Sequence, residues 1–328
     1  KMKITKLLCF SVGMLMFSCT VERTDFNNTL KAKSRGVVVV NQTISSENHT
    51  IILQTTGGKF YSGYNEVIIE VLDKNTLQKV DVQSLTFLPI KTRENGYSYS
   101  CPHQYHMDFK QDIKAFEGFA IFNTPTKNLL FDSENPVMTI GKSTEKWKIY
   151  ISYVVGNKTY DLVKEVEVSN LPNTNLNRNL TEFIGNDGEK YILALIEPQV
   201  PGIIENQLKA GLYKYNKPHN GEFEHKITGK PDPKLFSYSV VDRATLELDP
   251  RMPDPSMGNH SSPNNVNLTQ GEDKYYHGVV NYTMTGFWTL NFIFKDKNGN
   301  IIKGTKVPEK LTAGGWGQKS DLYIDINF

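Results

Sequence analysis

The side chains best suited to chemistry are soft donors gathered in one short stretch. Residues 250–263 read Pro-Arg-Met-Pro-Asp-Pro-Ser-Met-Gly-Asn-His-Ser-Ser-Pro, which puts Met252, Met257 and His260 within nine residues, and Met284 follows at the end of the next apolar run. Thioether sulfur with imidazole is a donor set that favours copper(I), and His with a longer axial Met also holds copper(II). A polar, proline-stiffened loop is expected to bury little apolar area, so packing is a weak reason for two methionines there. An imidazole ligand needs a partner for its second ring nitrogen, and Asn259 and Ser261 are the nearest in sequence. Three roles stay open: a metal site of Met252, Met257, His260 and Met284, a structural loop whose methionines cap the end of a fold, or a protein-binding tip.

A second cluster, Cys101-Pro-His103-Gln-Tyr-His106-Met107, holds a thiol, two imidazoles and a thioether within seven residues. It is a secondary metal candidate. The alternative is that Cys101 is a small buried hydrophobe and the histidines decorate a loop. Trp316, between Gly315 and Gly317, is either a hairpin tip packed on the core or an aromatic contact for a ligand such as a glycan. Enzyme signatures are missing. Gly141-Lys142-Ser143-Thr144 resembles the end of a phosphate-binding loop, but Pro136 stands where its first glycine belongs. The sequence contains no HExxH, GxSxG or CxxC. No catalytic residues are assigned, and a non-enzymatic role is expected. His49, His219, His225 and His277 read as solvated or structural.

The elements that would carry these residues alternate with a period of two. Trp147, Ile149, Ile151, Tyr153 and Val155 fall on one face of an extended segment, and Trp288, Leu290, Phe292 and Phe294 repeat the device. Such runs, bounded by Gly, Asn, Asp and Pro clusters, are half-buried antiparallel strands. Others are predicted at 51–55, 67–72, 116–122, 162–168, 191–196, 238–248, 275–284 and 322–328, and no long amphipathic helix is predicted.

The pattern is written twice. Pro89, Pro102, Gly118 and Trp147 reappear in order as Pro250, Pro263, Gly278 and Trp288, with the prolines thirteen residues apart in both copies. Upstream, Tyr61-Ser-Gly-Tyr-Asn-Glu has a counterpart in Ile204-Glu-Asn-Gln-Leu-Lys. By the proline register, Met252, Met257 and His260 correspond to Lys91, Gly96 and Tyr99, so the first copy lacks every soft donor. It also carries an insertion at about 125–145. The expected fold is all-β: two tandem immunoglobulin-like β-sandwich domains, at 34–170 and 189–328, joined by a linker at 171–188.

The run Met252 to Met257-Gly-Asn-His260-Ser-Ser-Pro263, then Tyr-His-Gly-Val-Val-Asn-Tyr-Thr-Met284, then Gly286-Phe-Trp288 resembles the YtkA-like/FixH-like family of exported β-sandwich domains. That resemblance covers about 45 residues of the second copy. It implies an exported location and a link to copper handling, and says nothing of a reaction.

The leader points to the same compartment. Lys3 and Lys6 precede an apolar run from Leu7 to Phe17, too short to span a bilayer, and Ser18-Cys19 follows. This reads as a lipoprotein signal peptide at 1–18, lipidation of Cys19 and a polar tether to residue 33. Lys1, Lys3 and Lys6 leave with the leader, so 37 basic residues become 34 against 35 acidic ones. No basic excess remains for nucleic acid. Cys101 is then the one free thiol, and no intrachain disulfide can form. The expected protein is a lipid-anchored component of the cell envelope, on the outer membrane with the periplasmic face favoured. It would bind copper or another soft metal, or serve a metal-dependent envelope partner, with the first copy as a spacer. The alternative is an interaction or adhesion module for a protein or glycan.

Overall fold

The computed structural model describes residues 38–123, 144–170, 179–218, 222–309 and 316–327. The signal segment, Cys19, the tether and most of the 125–145 insertion lie outside these residues. Within them, apart from 3-10 turns at Pro233–Phe236 and Pro255–Met257, every regular element is a strand.

The first half runs β1 (Val38–Ser45), β2 (His49–Thr56), β3 (Phe60–Tyr61), β4 (Gly63–Asp73), β5 (Val82–Thr92), β6 (Tyr97–Tyr99), β7 (Asp108–Lys110), β8 (Ala115–Phe122), β9 (Thr144–Val155) and β10 (Lys158–Ser169). The second runs β11 (Leu180–Ile184), β12 (Lys190–Glu197), β13 (Glu205–Tyr215), β14 (His225–Lys226), β15 (Tyr238–Val240), β16 (Thr245–Met252), β17 (His260–Ser261), β18 (Val266–Gln270), β19 (Tyr276–Asn281), β20 (Phe287–Lys295), β21 (Ile301–Lys303) and β22 (Tyr323–Asn327). The segment 171–188, expected as a linker, is therefore partly strand. Leu180–Ile184 pairs along β12, because its polar residues alternate with Leu180, Phe183 and Ile184 rather than replacing them. The strand expected over 238–248 is broken after Val240, where the chain turns through Arg243 at φ 56°.

In the first half, sheet β1-β2-β4-β8-β7 faces sheet β6-β5-β9-β10-β3. Period-two alternation turns one row of each sheet inward. Ile51, Leu53, Val67, Ile69 and Phe116 meet Leu85, Phe87, Trp147, Ile149, Ile151 and Tyr153 in one core. The second half builds a separate core around Leu193, Leu208, Leu212, Leu246, Trp288, Leu290 and Phe292.

The repeat is legible in the pairing itself. Pro89 pairs with Ile149 and Pro250 with Leu290, each two residues beyond the tryptophan of its copy. Gly118 pairs with Val67, and Gly278 with Leu208. Two residues before those partners, Asn65 and Asn206 make the same bracket. Each side chain accepts from the backbone N–H four residues earlier and donates to the carbonyls four and two residues earlier. The upstream counterpart of Tyr61 is thus Gly202, not Ile204. Asn65 and Asn206 carry the correspondence through hydrogen bonds that the apolar pattern does not display.

Twenty-nine residues separate β13 from β16, where eight separate β4 from β5. Part of this excess forms a strap at 222–237 that reaches back across the first half. β14 pairs with β6, His225 opposite Ser98. Phe236, with Leu235 and Ile227, covers Leu88, Ile90, Tyr105 and Tyr150 on the outer face of β5 and β9. Tyr215 Oη donates to the Leu235 carbonyl at 2.7 Å, so His225 Nε2, 2.8 Å away, donates to Tyr215 Oη. Beside the strap, Ile121, Ile192, Ala194 and Tyr213 form a second apolar seam, flanked by Asn123 donating to Glu182 at 2.7 Å and Tyr238 Oη donating to the Ser100 carbonyl at 3.2 Å. The chain from Ser34 onward is one contact unit.

Phe236 is 1% exposed at the centre of the strap contact. Phe236→Ala is expected to cost about 3–5 kcal/mol and to split a single denaturant transition into two, followed by fluorescence of Trp147 and Trp288. An unchanged midpoint would contradict the role given to the strap.

Candidate functional site

The soft donors sit where β16, β17 and the turn before β20 meet. Arg251, opposite Thr289, ends the ladder with β20, and the chain leaves the sheet through Pro253 and Pro255. Asp254 caps the 3-10 turn by accepting from the Ser256 N–H at 2.7 Å. Gly258 (φ 62°) and Asn259 (φ 57°) are consecutive left-handed residues, the first suited to glycine and the second to asparagine. They reverse the chain so that His260 returns opposite Met252. Directly opposed residues on paired strands put their side chains on one face.

That face looks onto Trp288. The His260 ring lies 6.4 Å from the indole and Tyr282 lies 5.4 Å from it. Trp288 Nε1 donates to the Met284 carbonyl at 3.1 Å. Met252 Cε reaches the turn before β20, where a Cβ on Gly286 would stand 3.1 Å away. Met257 and Met284 pack, half-buried, against the same core, Met257 in the turn between Met252 and His260 and Met284 beside Trp288 through its carbonyl. The structure therefore brings the surroundings of all four residues to the Trp288 end of the second core. It also revises two expectations. Met252 is 3% exposed and belongs to the core, because it closes strand β16 rather than lying in the polar loop, and packing accounts for it well. The partner of His260 is Thr283, whose hydroxyl lies 3.1 Å from Nε2. Asn259 is turned away, donating to the Pro308 carbonyl, and Ser261 is directed at the Ser262 carbonyl. Nothing in the spacing marks Thr283, which is 23 residues from His260.

The first copy shows what this end does without soft donors. Lys91 pairs with Tyr99 as Met252 pairs with His260. Trp147 is flanked by Tyr99 at 5.7 Å and Phe122 at 5.0 Å, in the places of His260 and Tyr282. One architecture is thus closed by a phenol in the first copy and opened to solvent by an imidazole in the second, where His260 is exposed.

The cluster at 101–107 is dispersed. Cys101 is wholly buried, and burial pushes its thiol well above the usual range, disfavouring the thiolate that a metal needs. Met107 packs in the first core beside Gly118, whereas His106 is exposed. His103 Nδ1 lies 2.7 Å from the Cys101 carbonyl and so donates to it. Among the described residues no three His, Cys, Asp or Glu side chains gather closely enough to share a metal ion, so a metal here would have to draw on thioethers. Trp316 is half-buried beside Gly317, whose N–H donates to the Pro253 carbonyl at 2.7 Å. It belongs to the same end of the second core as the methionine loop.

Burial pulls the His103 imidazole down to about 4. An unfolded chain would hold it near 6.5, so between those values the unfolded state binds more protons and stability rises with pH. Stability is expected to be complete above about 6.5 and to fall as pH drops toward 4. His103→Gln should flatten that dependence in denaturation midpoints at pH 7 and pH 5; an equal loss in both proteins would contradict it.

No protein-family model matches the chain, and no curated protein matches it significantly.

Proposed function

We propose that the chain is a non-enzymatic binding protein of the bacterial envelope that holds a soft metal ion, copper(I), at the Trp288 end of its second half. The observation that carries this reading is the Met252–His260 register pair over Trp288, with Met257 and Met284 packed against the same core. Three thioethers and one imidazole are a donor set suited to copper(I). His260 supplies the exposed donor. Thr283 on Nε2 would orient the ring and leave Nδ1 for the metal, the usual division of labour in a ligand histidine. Met257 and Met284 are half-buried and Met252 is buried. Anchoring through a lipid on Cys19 would keep this site at the membrane surface, for storage or for passage of the ion to an envelope partner. No part for nucleic acid is proposed.

Anaerobic titration of the purified protein with copper(I) against a chromogenic chelator tests this. One equivalent should be retained, and Met257→Leu with His260→Ala should weaken retention by about tenfold or more, roughly 1.4 kcal/mol. Cys101→Ala should leave it unchanged. Failure of the unmodified protein to retain copper, or equal retention by the double variant, would end the proposal.

A further inference from the structure

β10 lies near the edge of its sheet, with only the short strand β3 beyond it. β9 and β10 are joined by a two-residue turn with Gly156 at φ 60°, and they pair without a register shift from Val155–Lys158 to Thr144–Ser169. In such a hairpin the residues flanking the turn form a hydrogen-bonded pair, and every second pair after it does the same. Lys158 and the even-numbered residues of β10 therefore spend their N–H and C=O groups on β9. The odd-numbered residues point theirs the other way. Ser169 shows this parity independently, since its carbonyl accepts from the Ser62 N–H beside β3 at 2.9 Å. The pairing with β3 covers Val168 and Ser169 alone. Among the described residues no strand pairs with the edge from Thr159 to Glu167.

That edge adjoins a cleft of about 390 Å³ between the strap and the outer face of the sheet. Leu88, Tyr105, Tyr150, Val163, Pro231 and Pro233 form its apolar walls. Lys230 on the strap reaches Asp161 on β10 at 2.7 Å and spans the cleft on one side. Val163 is 53% exposed at the other. A row of outward N–H and C=O groups is matched by another extended backbone, and a neighbouring pocket gives such a strand its side-chain preference. Asp161, Glu165 and Glu167 are exposed on this edge beside Thr159 and Val163; Asp161 and Glu165 sit in solvent-exposed pairs with Lys230 and Lys146, which lysines of an added strand can replace at small cost. Like charges opposed across a strand pair are unfavourable and opposite charges are favourable. The row therefore disfavours pairing with a second copy of itself and suits a basic strand.

We propose that the β10 edge from Thr159 to Glu167, with the cleft beside it, docks an extended basic segment of a partner protein that inserts a bulky apolar side chain between Tyr150 and Pro231. The partner strand adds to sheet β6-β5-β9-β10 and covers Val163. Among the described residues the second half has no equivalent, because the strand in the place of β10 is divided into β21 and β22. This surface is independent of the donors around Trp288.

A synthetic peptide, acetyl-Lys-Phe-Lys-Val-Lys-Phe-Lys-amide, is the probe, and its alternately N-methylated form is the control. Both share charge and apolar surface, but the control lacks the backbone donors. Binding should slow hydrogen exchange at the amides of Asp161, Val163, Glu165 and Glu167 by about tenfold or more, and the control should bind at least about tenfold more weakly. Val163→Pro removes a donor that β9 does not use, so the folding midpoint should hold while binding is lost. Thr86→Trp, which fills the cleft floor, should also weaken binding. The proposal is overturned by any of four results: no binding up to about 1 mM peptide, equal binding of the N-methylated control, amides on this edge already protected in the free protein, or unfolding of the proline variant, which would show that the Val163 N–H serves the sheet.

Discussion

Each half of the protein is organised by one indole with no exposed surface, Trp147 in the first and Trp288 in the second. The indole can be buried there because the strand that carries it lies against a proline-bearing strand in a fixed register, with Ile149 opposite Pro89 and Leu290 opposite Pro250. A slip of one residue would turn each tryptophan to the outer face and send Lys148 or Thr289 into the core. The same register places the residue two beyond the proline, Lys91 or Met252, opposite Tyr99 or His260 at the end of the core. The candidate site is therefore a consequence of how the tryptophan is packed. Fixing the indole fixes what stands over it.

The halves diverge in what has been added to that shared frame. The second copy spends its additional residues on the strap, and the strap's apolar side chains close over β5 and β9 of the first. This contact removes the freedom that two sandwiches on a flexible linker would have. It also walls the cleft beside β10, so one device holds the halves together and shapes a surface that neither half has alone. The ion pairs along the seam, Arg93 with Glu224 at 2.8 Å and Lys230 with Asp161 at 2.7 Å, are partly exposed and add little energy compared with the burial of Phe236.

Much of this is legible in the sequence, for a physical reason. Alternation of apolar residues follows from a two-sheet core, so Trp147 to Val155 and Trp288 to Phe294 announce their strands. The proline spacing announces the duplication and the equivalence of His260 with Tyr99. The strap is not legible. Ile227, Leu235 and Phe236 have no periodicity, and their partners, on β5, β9 and the loop between β6 and β7, lie between 77 and 148 positions earlier. Met252 is misleading for a related reason, since prolines on both sides make a strand end resemble a loop. Thr283 is found only once the β16–β17 return sets His260 over the turn before β20. Contacts across a seam or a chain reversal leave no local pattern.

X-ray absorption at the copper edge of protein loaded with one equivalent of copper(I) tests most directly whether the second copy has converted a closed structural end into a donor site. Thioether sulfur together with one imidazole nitrogen in the first shell, accompanied by quenched Trp288 fluorescence, is the predicted result. A shell of oxygen and nitrogen alone, or a thiolate sulfur that vanishes in Cys101→Ala, would contradict it.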